Sequence, residues 1–387
     1  MKKKIVILGS TGSIGKSTIS IINQDKKNFK IILLSTHKNY NELYKQAKTL
    51  NVKNLIITDK KSFHLFKKKY INKKINIFNN FNNLNKILKN KVDYTMSSIS
   101  GIQGLAPTLN IIKHTKKIAI ANKEAIICGW NLIEKALKKN RTEFIPVDSE
   151  HFSIWSLIKK SKNDLIEKVF ITASGGPFLN LPLNKIRNVS PKRALKHPNW
   201  SMGKKISIDS ATMMNKVFEV IETQKIFDLT KSKIHILIHE KSYVHAIVQF
   251  KNGLKKILAH DTNMKIPIFN TIYENENKYI KSGDLNIDNL NNLNFKKVDK
   301  KKFPLVSILK LIPDKSSLFE TVLVSANDEL VNQFLSNKIS FINFQKTLLK
   351  FIKLKEFAKL KRKKARNIKE IYVLNEYVRL KIKSLCI

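Results

Sequence analysis

Cysteine is nearly absent. The 387 residues hold two, Cys128 and Cys386, far apart and without metal-site spacing. A disulfide framework and a cysteine-ligated metal are thereby excluded, and a reduced, cytoplasmic setting is expected. Long apolar runs are missing as well. Met1-Lys2-Lys3-Lys4 followed by Ile5-Val6-Ile7-Leu8 resembles the start of a signal peptide, but Gly9 ends the apolar run well short of an h-region. No later stretch reaches the roughly 20 apolar residues that span a bilayer, so the Asn199-Trp200-Ser201 sequon carries no glycosylation meaning. Acidic residues are scarce too: 29 Asp and Glu face 73 Lys and Arg, a formal charge of +44. That balance would ordinarily suggest a nucleic acid or an anionic membrane. Here the lysines spread from Lys2 to Lys383 alongside a general excess of Asn, Ile and Phe, residues that share A- and T-rich codons, so the charge reads as compositional drift. The runs Lys67-Lys68-Lys69 and Lys361-Arg362-Lys363-Lys364 have no aromatics interleaved for base stacking and read as solvated faces. Neither nucleic acid nor membrane is expected as a partner.

What is present suffices for real cores: 42% hydrophobic residues, 9% aromatic, and a length beyond that of a single core. In the first half, short apolar segments alternate with helical ones: Ile5 to Leu8, Ile31 to Leu34, Leu55 to Thr58, Tyr94 to Ser97, Ile118 to Ala121 and Phe144 to Val147. Such alternation predicts an α/β fold, a Rossmann-like, doubly wound parallel sheet. The pattern then turns mixed, with strands at Lys168 to Thr172, His235 to His239 and Val244 to Gln249 and a helix from Ser210 onward. The expected division is a cofactor-binding domain over 1–148, an α+β catalytic domain over 149–272, a polar linker over 273–302 and a helical bundle over 303–387.

The chemistry gathers in a few motifs. Gly9-Ser10-Thr11-Gly12-Ser13-Ile14-Gly15 follows the first strand and opens a helix, the position in which loop amides and a helix N-terminus hold a pyrophosphate. The second strand ends in Ser35-Thr36-His37-Lys38-Asn39, with a cation where an NAD site places an acid, so NADP is preferred. Ala121-Asn122-Lys123-Glu124 follows another strand and would suit the nicotinamide end of a cofactor or a substrate oxygen, or simply start a helix. Asp148-Ser149-Glu150 sets two carboxylates just past a strand, fitting either a hard divalent cation such as Mg²⁺ or Mn²⁺ or a helix cap. Ser174-Gly175-Gly176 exposes amides and a hydroxyl to phosphate oxygens. His197-Pro198-Asn199-Trp200-Ser201-Met202-Gly203 has the makings of a lid, or of a loop whose Trp docks on the core. In Asp209-Ser210-Ala211-Thr212-Met213-Met214-Asn215-Lys216-Val217-Phe218-Glu219, helical spacing buries Met213, Met214, Val217 and Phe218 and leaves Thr212, Asn215, Lys216 and Glu219 on the other face, with Ser210 near the N-terminus.

In order and spacing, these motifs together resemble the 1-deoxy-D-xylulose 5-phosphate reductoisomerases over essentially the whole chain, including Ser325-Ala326-Asn327-Asp328-Glu329. The resemblance implies an enzyme that rearranges 1-deoxy-D-xylulose 5-phosphate and reduces the branched aldehyde with NADPH to 2-C-methyl-D-erythritol 4-phosphate, in non-mevalonate isoprenoid synthesis. By that resemblance Asp148, Glu150 and Glu219 hold Mg²⁺ or Mn²⁺, which grips the substrate's carbonyl and hydroxyl oxygens and stabilises the enolate of a retro-aldol cleavage. Lys123 and Ser149 contact the carbon skeleton, and Ser174, His197, Ser210, Asn215 and Lys216 bind the phosphate under a flap of Trp200 and Met202. Thr11, Gly12, Ser13, Ile14, His37, Lys38, Asn39, Asn122, Glu124 and Gly203 bind NADPH, and the enzyme works as a homodimer. Three stretches depart from the family pattern: His37, His239-Glu240-Lys241-Ser242, and Asn263-Met264-Lys265-Ile266-Pro267. The last two are expected outside the catalytic set, bearing on dimer packing. A simple NADP-dependent dehydrogenase, needing no set of three acids, is the alternative.

Overall fold

The computed structural model describes residues 2–70, 74–159, 161, 163–200, 202–274 and 276–385; Ser201 of the lid motif and Cys386 lie outside the described residues. Seven strands form one parallel sheet: β1 (Lys3–Leu8), β2 (Phe29–Thr36), β3 (Asn54–Ile57), β4 (Asn76–Phe78), β5 (Val92–Ser97), β6 (Thr115–Ile120) and β7 (Glu143–Pro146). Their order is β4-β3-β2-β1-β5-β6-β7, so the winding reverses between β1 and β5. Ligands of doubly wound sheets bind at the carboxyl ends of the strands beside such a reversal, and the glycine loop follows β1 there. Ile5, Val6, Ile7 and Leu8 are all fully buried, as an unbroken apolar run in a parallel sheet covered on both faces should be. The short edge strand β4 has no counterpart in the sequence reading, because its residues, Asn76 exposed and Ile77 and Phe78 half-buried, sit in an Asn- and Lys-rich stretch.

The contacts group the chain into two compact units, where the sequence reading has three domains and a linker. The first unit holds the parallel sheet and also Met264–Ile280. Within it the helix Lys265–Tyr273 joins the first unit's core through Ile268, Ile272 and Tyr273: Tyr94 and Thr271 share a hydroxyl hydrogen bond of 2.8 Å, and Tyr273 donates to Asp25 at 3.0 Å. The second unit contains a mixed sheet of β8 (Ile166–Ala173), β9 (Ile234–Ile238), β10 (Val244–Phe250), β11 (Lys255–Ala259) and β12 (Lys296–Lys297), ordered β11-β10-β8-β9-β12. β8 and β9 run parallel and the other pairs antiparallel. β12 falls within the stretch read as a linker. Against this sheet stand helices Ser149–Ile158 and Met214–Ile226, joined by Ile154, Ile171, Val220 and Val248 in one buried cluster. The expected turn of helix at Leu305 to Leu311 is 3₁₀ in form, Pro304–Leu311, and is followed by helices Phe319–Leu335, Phe341–Phe351 and Ile368–Leu385.

One expectation is corrected. The helix predicted to run from Ser210 onward is two helices, Lys204–Ala211 and Met214–Ile226, broken at Met213 in the left-handed conformation with φ 62°. Ser210 therefore closes the first helix rather than opening the second, and the residues at the second N-terminus are Asn215 and Lys216. The polar face is not solvated either: Thr212, Lys216 and Glu219 are all buried, with only Asn215 half-exposed.

Candidate active site

Pro146 ends β7, and three residues later the chain enters the helix Ser149–Ile158, so the bond sequence itself fixes Asp148 beside Ser149 and Glu150. Asp148 thus stands at the cap position, and the two readings of the triplet, helix start and ligand set, are compatible. Glu219 lies on the neighbouring helix Met214–Ile226. His151, fully buried, ties the two helices together by donating from Nε2 to the Glu219 carbonyl at 3.0 Å and lying 3.1 Å from the Thr223 hydroxyl. As a result Asp148, Glu150 and Glu219 each bring a carboxylate oxygen within 4.8 Å of the others.

Three carboxylates so close repel one another unless positive charge intervenes. Lys216 donates to Glu150 and, at 2.5 Å, to Glu219, and Lys123 stands 3.5 Å from Asp148. Burial alone would lower the Lys216 pKa, yet the carboxylates of Glu150 and Glu219 outweigh it, and the ammonium is held above the ordinary lysine range. Ser149 donates to Glu150 Oε2 at 2.6 Å and Asn215 to Glu219 Oε1 at 2.5 Å, fixing both carboxylates in place. Three acids against two lysines leave one net negative charge, all on oxygen. Mg²⁺ and Mn²⁺ are hard cations that take oxygen ligands, and three carboxylates converging with a net negative charge are a donor set of that kind.

A second cluster adjoins the first through Asn215 and Lys216. Ser174 follows β8 and accepts from the Gly176 amide at 3.1 Å. His197 Nε2 is 3.0 Å from Ser174 Oγ, while its Nδ1 accepts the amides of Asn199 at 3.1 Å and Trp200 at 3.0 Å. A nitrogen that accepts two N–H groups carries no proton, so the hydrogen bonds assign it to Nε2, which donates to Ser174. Burial, with the Lys216 charge adding to it, pushes the His197 pKa down to about 4, in keeping with a neutral ring. Ser174 then has its own proton left to give an anion. Ser210 comes close because Gly176, with φ +66°, has no Cβ; one built there would stand 2.8 Å from the Ser210 carbonyl oxygen. Two hydroxyls, a neutral imidazole, an amide and an ammonium together suit a phosphate.

The glycine loop shows the same economy of space. A Cβ on Gly15 would meet the Gly9 oxygen at 2.5 Å, and Gly9 itself has φ +77°. Gly12 starts the helix Ser13–Gln24 with no side-chain cap, so the first-turn amides at Ser13 and Ile14 face outward for an anion. Thr11 is tied to the end of β2 by a hydroxyl pair of 2.6 Å with Thr36. Beyond it His37, Lys38 and Asn39 are exposed, His37 bonded to the Thr58 hydroxyl at 2.9 Å and Asn39 capping the next helix at Glu42. Asn122 is committed to structure: its oxygen caps the helix Lys123–Asn140 at Ala125 and its amide donates to Gly101 at 2.7 Å. Glu124 is buried in the first turn of that helix, and Gly203 stands at the N-cap of Lys204–Ala211 with open space around it.

Comparison with known proteins settles the family. Three family models match in succession: 1-deoxy-D-xylulose 5-phosphate reductoisomerase over residues 5–129, its C-terminal domain over 144–227, and the DXP reductoisomerase C-terminal domain over 260–381. The 1-deoxy-D-xylulose 5-phosphate reductoisomerase of Pelagibacter ubique (strain HTCC1062) is 61% identical over 387 residues, covering 100% of both chains. The chain belongs to the 1-deoxy-D-xylulose 5-phosphate reductoisomerase family. That of Wolbachia pipientis wMel is 38% identical over 88% of this chain and 87% of its own. Among solved structures, the Zymomonas mobilis reductoisomerase in complex with NADPH superposes with a TM-score of 0.88 at 29% identity, covering 100% of this chain and 99% of its own. A reductoisomerase in complex with NADPH, fosmidomycin and magnesium gives 0.89 at 30%, covering 99% and 98%.

Of the departures from the family pattern, the stretch His239 to Ser242 touches the motif His197 to Gly203. Asn199 of the lid motif donates to the Glu240 carbonyl at 2.6 Å and to Ser242 Oγ at 2.9 Å, and the Trp200 ring stands edge-on to His245 at 6.0 Å. Lys205 and Asn327, which meet at Asp209 beside Ser210, have no role in the sequence reading; the one available signal was the buried-helix spacing that sets a carboxylate next to Ser210 in Ile206-Ser207-Ile208-Asp209.

Proposed function

We propose that Asp148, Glu150 and Glu219 hold the divalent cation, Mg²⁺ or Mn²⁺, and that the adjoining cluster holds the phosphate of 1-deoxy-D-xylulose 5-phosphate. The enzyme isomerises this sugar phosphate and reduces it with NADPH to 2-C-methyl-D-erythritol 4-phosphate. When bound, the cation acts as a Lewis acid on the substrate's carbonyl and hydroxyl oxygens. Lys123, buried and beside Asp148, supplies a second positive charge to the same oxygens. Ser149 holds Glu150 in position and contacts the carbon skeleton. Ser174, Ser210, Asn215 and Lys216 bind the phosphate, with His197 beside them as a neutral ring that donates to Ser174 and so turns the Ser174 hydroxyl proton toward the anion, and Trp200 and Met202 close over the substrate and exclude water. Thr11, Gly12, Ser13 and Ile14 take the pyrophosphate of NADPH, His37, Lys38 and Asn39 its 2′-phosphate side, and Glu124 and Gly203 the nicotinamide half, with Asn122 shaping that end by capping the helix and holding Gly101.

The observation that carries this reading is the convergence of three carboxylates within 4.8 Å, since a simple dehydrogenase has no use for them. No described helix is long and apolar enough to cross a membrane. We read the enzyme as a cytoplasmic homodimer, and the edge strand β11, with Ile257 half-exposed and Leu254 exposed beside it, supports pairing with a second copy. The test is NADPH oxidation on addition of 1-deoxy-D-xylulose 5-phosphate. Turnover should vanish in EDTA and return with Mg²⁺; turnover indifferent to EDTA would favour a simple dehydrogenase.

A further inference from the structure

Asp209 is 1% exposed and sits in the last turn of the helix Lys204–Ala211, one residue before Ser210. A carboxylate there is opposed by the helix dipole and stripped of water, so nothing local accounts for it. It lies, moreover, next to a site assigned to a phosphate dianion, which it would repel if left unbalanced. Its oxygens are instead clamped. Asn327 Nδ2, from the buried helix Phe319–Leu335, donates to Oδ1 at 2.8 Å, and Lys205 Nζ stands 2.8 Å from Oδ2. Lys205 is itself shared with Asp328 at 3.3 Å and lies 4.8 Å above the Phe218 ring, while Arg379 reaches Asp328 and Glu329 at 3.2 Å each. The helix Lys204–Ala211 is thereby tied to the C-terminal helices by groups that are charged and directional, where apolar packing alone would leave it able to rotate or slide.

We propose that Asp209 is a positioning residue for phosphate binding: Asn327 and Lys205 hold it so that the Ser210 hydroxyl is fixed against the Ser174-Gly176 turn. This rests on the assignment of Ser174, Ser210, Asn215 and Lys216 to the phosphate. The spacing there has no slack, since Gly176 already approaches Ser210 as closely as a missing Cβ allows. An ångström of misplacement there forfeits a hydrogen bond to a charged group, about ten- to a hundredfold in binding.

The experiment compares N327D, D209N and the swapped pair D209N/N327D in the full-length, metal-loaded enzyme. N327D sets one carboxylate against another. It should raise both the KM for 1-deoxy-D-xylulose 5-phosphate and the inhibition constant of inorganic phosphate by about tenfold or more, with kcat at saturation and NADPH affinity held within about twofold. The swapped pair restores one donor facing one acceptor and should recover most of the loss. If N327D does not fold, D209N and the swapped pair carry the same comparison. An unchanged phosphate inhibition constant, a parallel fall in kcat and NADPH affinity, or a swapped pair no better than either single variant would overturn the proposal. K216M separates the two levels: if it too leaves phosphate inhibition unchanged, the phosphate assignment has failed, whereas if only the Asp209 and Asn327 variants are silent, the positioning role alone has.

Discussion

Replacing Glu219 by Gln changes one charge and almost no volume, which makes it a clean probe of the carboxylate set. Glu219 is 1% exposed, and the set spans at most 4.8 Å, so its charge would lie roughly 3 to 4 Å from a shared cation. A unit pair at 4 Å through an effective dielectric of about 20 interacts by about 4 kcal/mol, and a divalent ion doubles this to roughly 8. The amide keeps an oxygen donor, and water recovers part of the difference, leaving an expected loss of about 3 to 4 kcal/mol, or two to three orders of magnitude in metal affinity. The assay is NADPH oxidation as a function of Mg²⁺ at saturating substrate, beside NADPH affinity by fluorescence quenching. The half-activating Mg²⁺ concentration should rise at least a hundredfold and residual turnover should be slight, while NADPH affinity stays within about twofold. A half-activating concentration within about threefold of the parent would refute the placement of Glu219 in the metal site.

Lys38→Ala should raise the KM for NADPH by about tenfold and leave that for NADH unchanged, as loss of one exposed phosphate partner would; equal losses with both cofactors would rule out 2′-phosphate recognition. Gly176→Ala places a Cβ 2.8 Å from the Ser210 oxygen at a φ of +66°, so a cost of at least about 1–2 kcal/mol and a raised substrate KM are expected, read from thermal unfolding and kinetics; a neutral outcome would mean the turn can move. His197 is held at about 4, below its ordinary 6.5, by burial and then by Lys216. The unfolded chain therefore takes up this proton first as the pH falls, so the stability His197 contributes is complete above pH 6.5 and is lost as the pH falls toward 4. A histidine NMR titration should place its midpoint near 4, and a midpoint at or above 6.5 would contradict the neutral donor.

What could be read from the chain in advance was what is local. β1 and its glycine loop form a contiguous signal, apolar run then spaced glycines then helix, and the structure follows it. Asp148, Ser149 and Glu150 are adjacent in sequence, so their juxtaposition was never in doubt, only its meaning. Glu219 could be joined to them through the family resemblance alone, because nothing in residues 151–218 announces which face of the later helix turns toward Glu150. The break at Met213 was hidden for a different reason: methionine is a good helix former, and nothing in the residues around it announces the left-handed conformation, φ 62°, that it adopts. The pairing of Asp209 with Asn327, 118 residues apart, has no local trace at all. The helix Lys265–Tyr273 likewise reads as part of whatever precedes it until Tyr94 and Asp25 are seen to hold it.

The most direct measurement is the position of a bound cation. Crystals grown with Mn²⁺ and recorded at a wavelength where manganese scatters anomalously should give one strong peak within about 2.0–2.4 Å of an oxygen from each of Asp148, Glu150 and Glu219. A peak coordinated elsewhere, or one that leaves Glu219 out, would contradict the assignment on which the proposed chemistry depends.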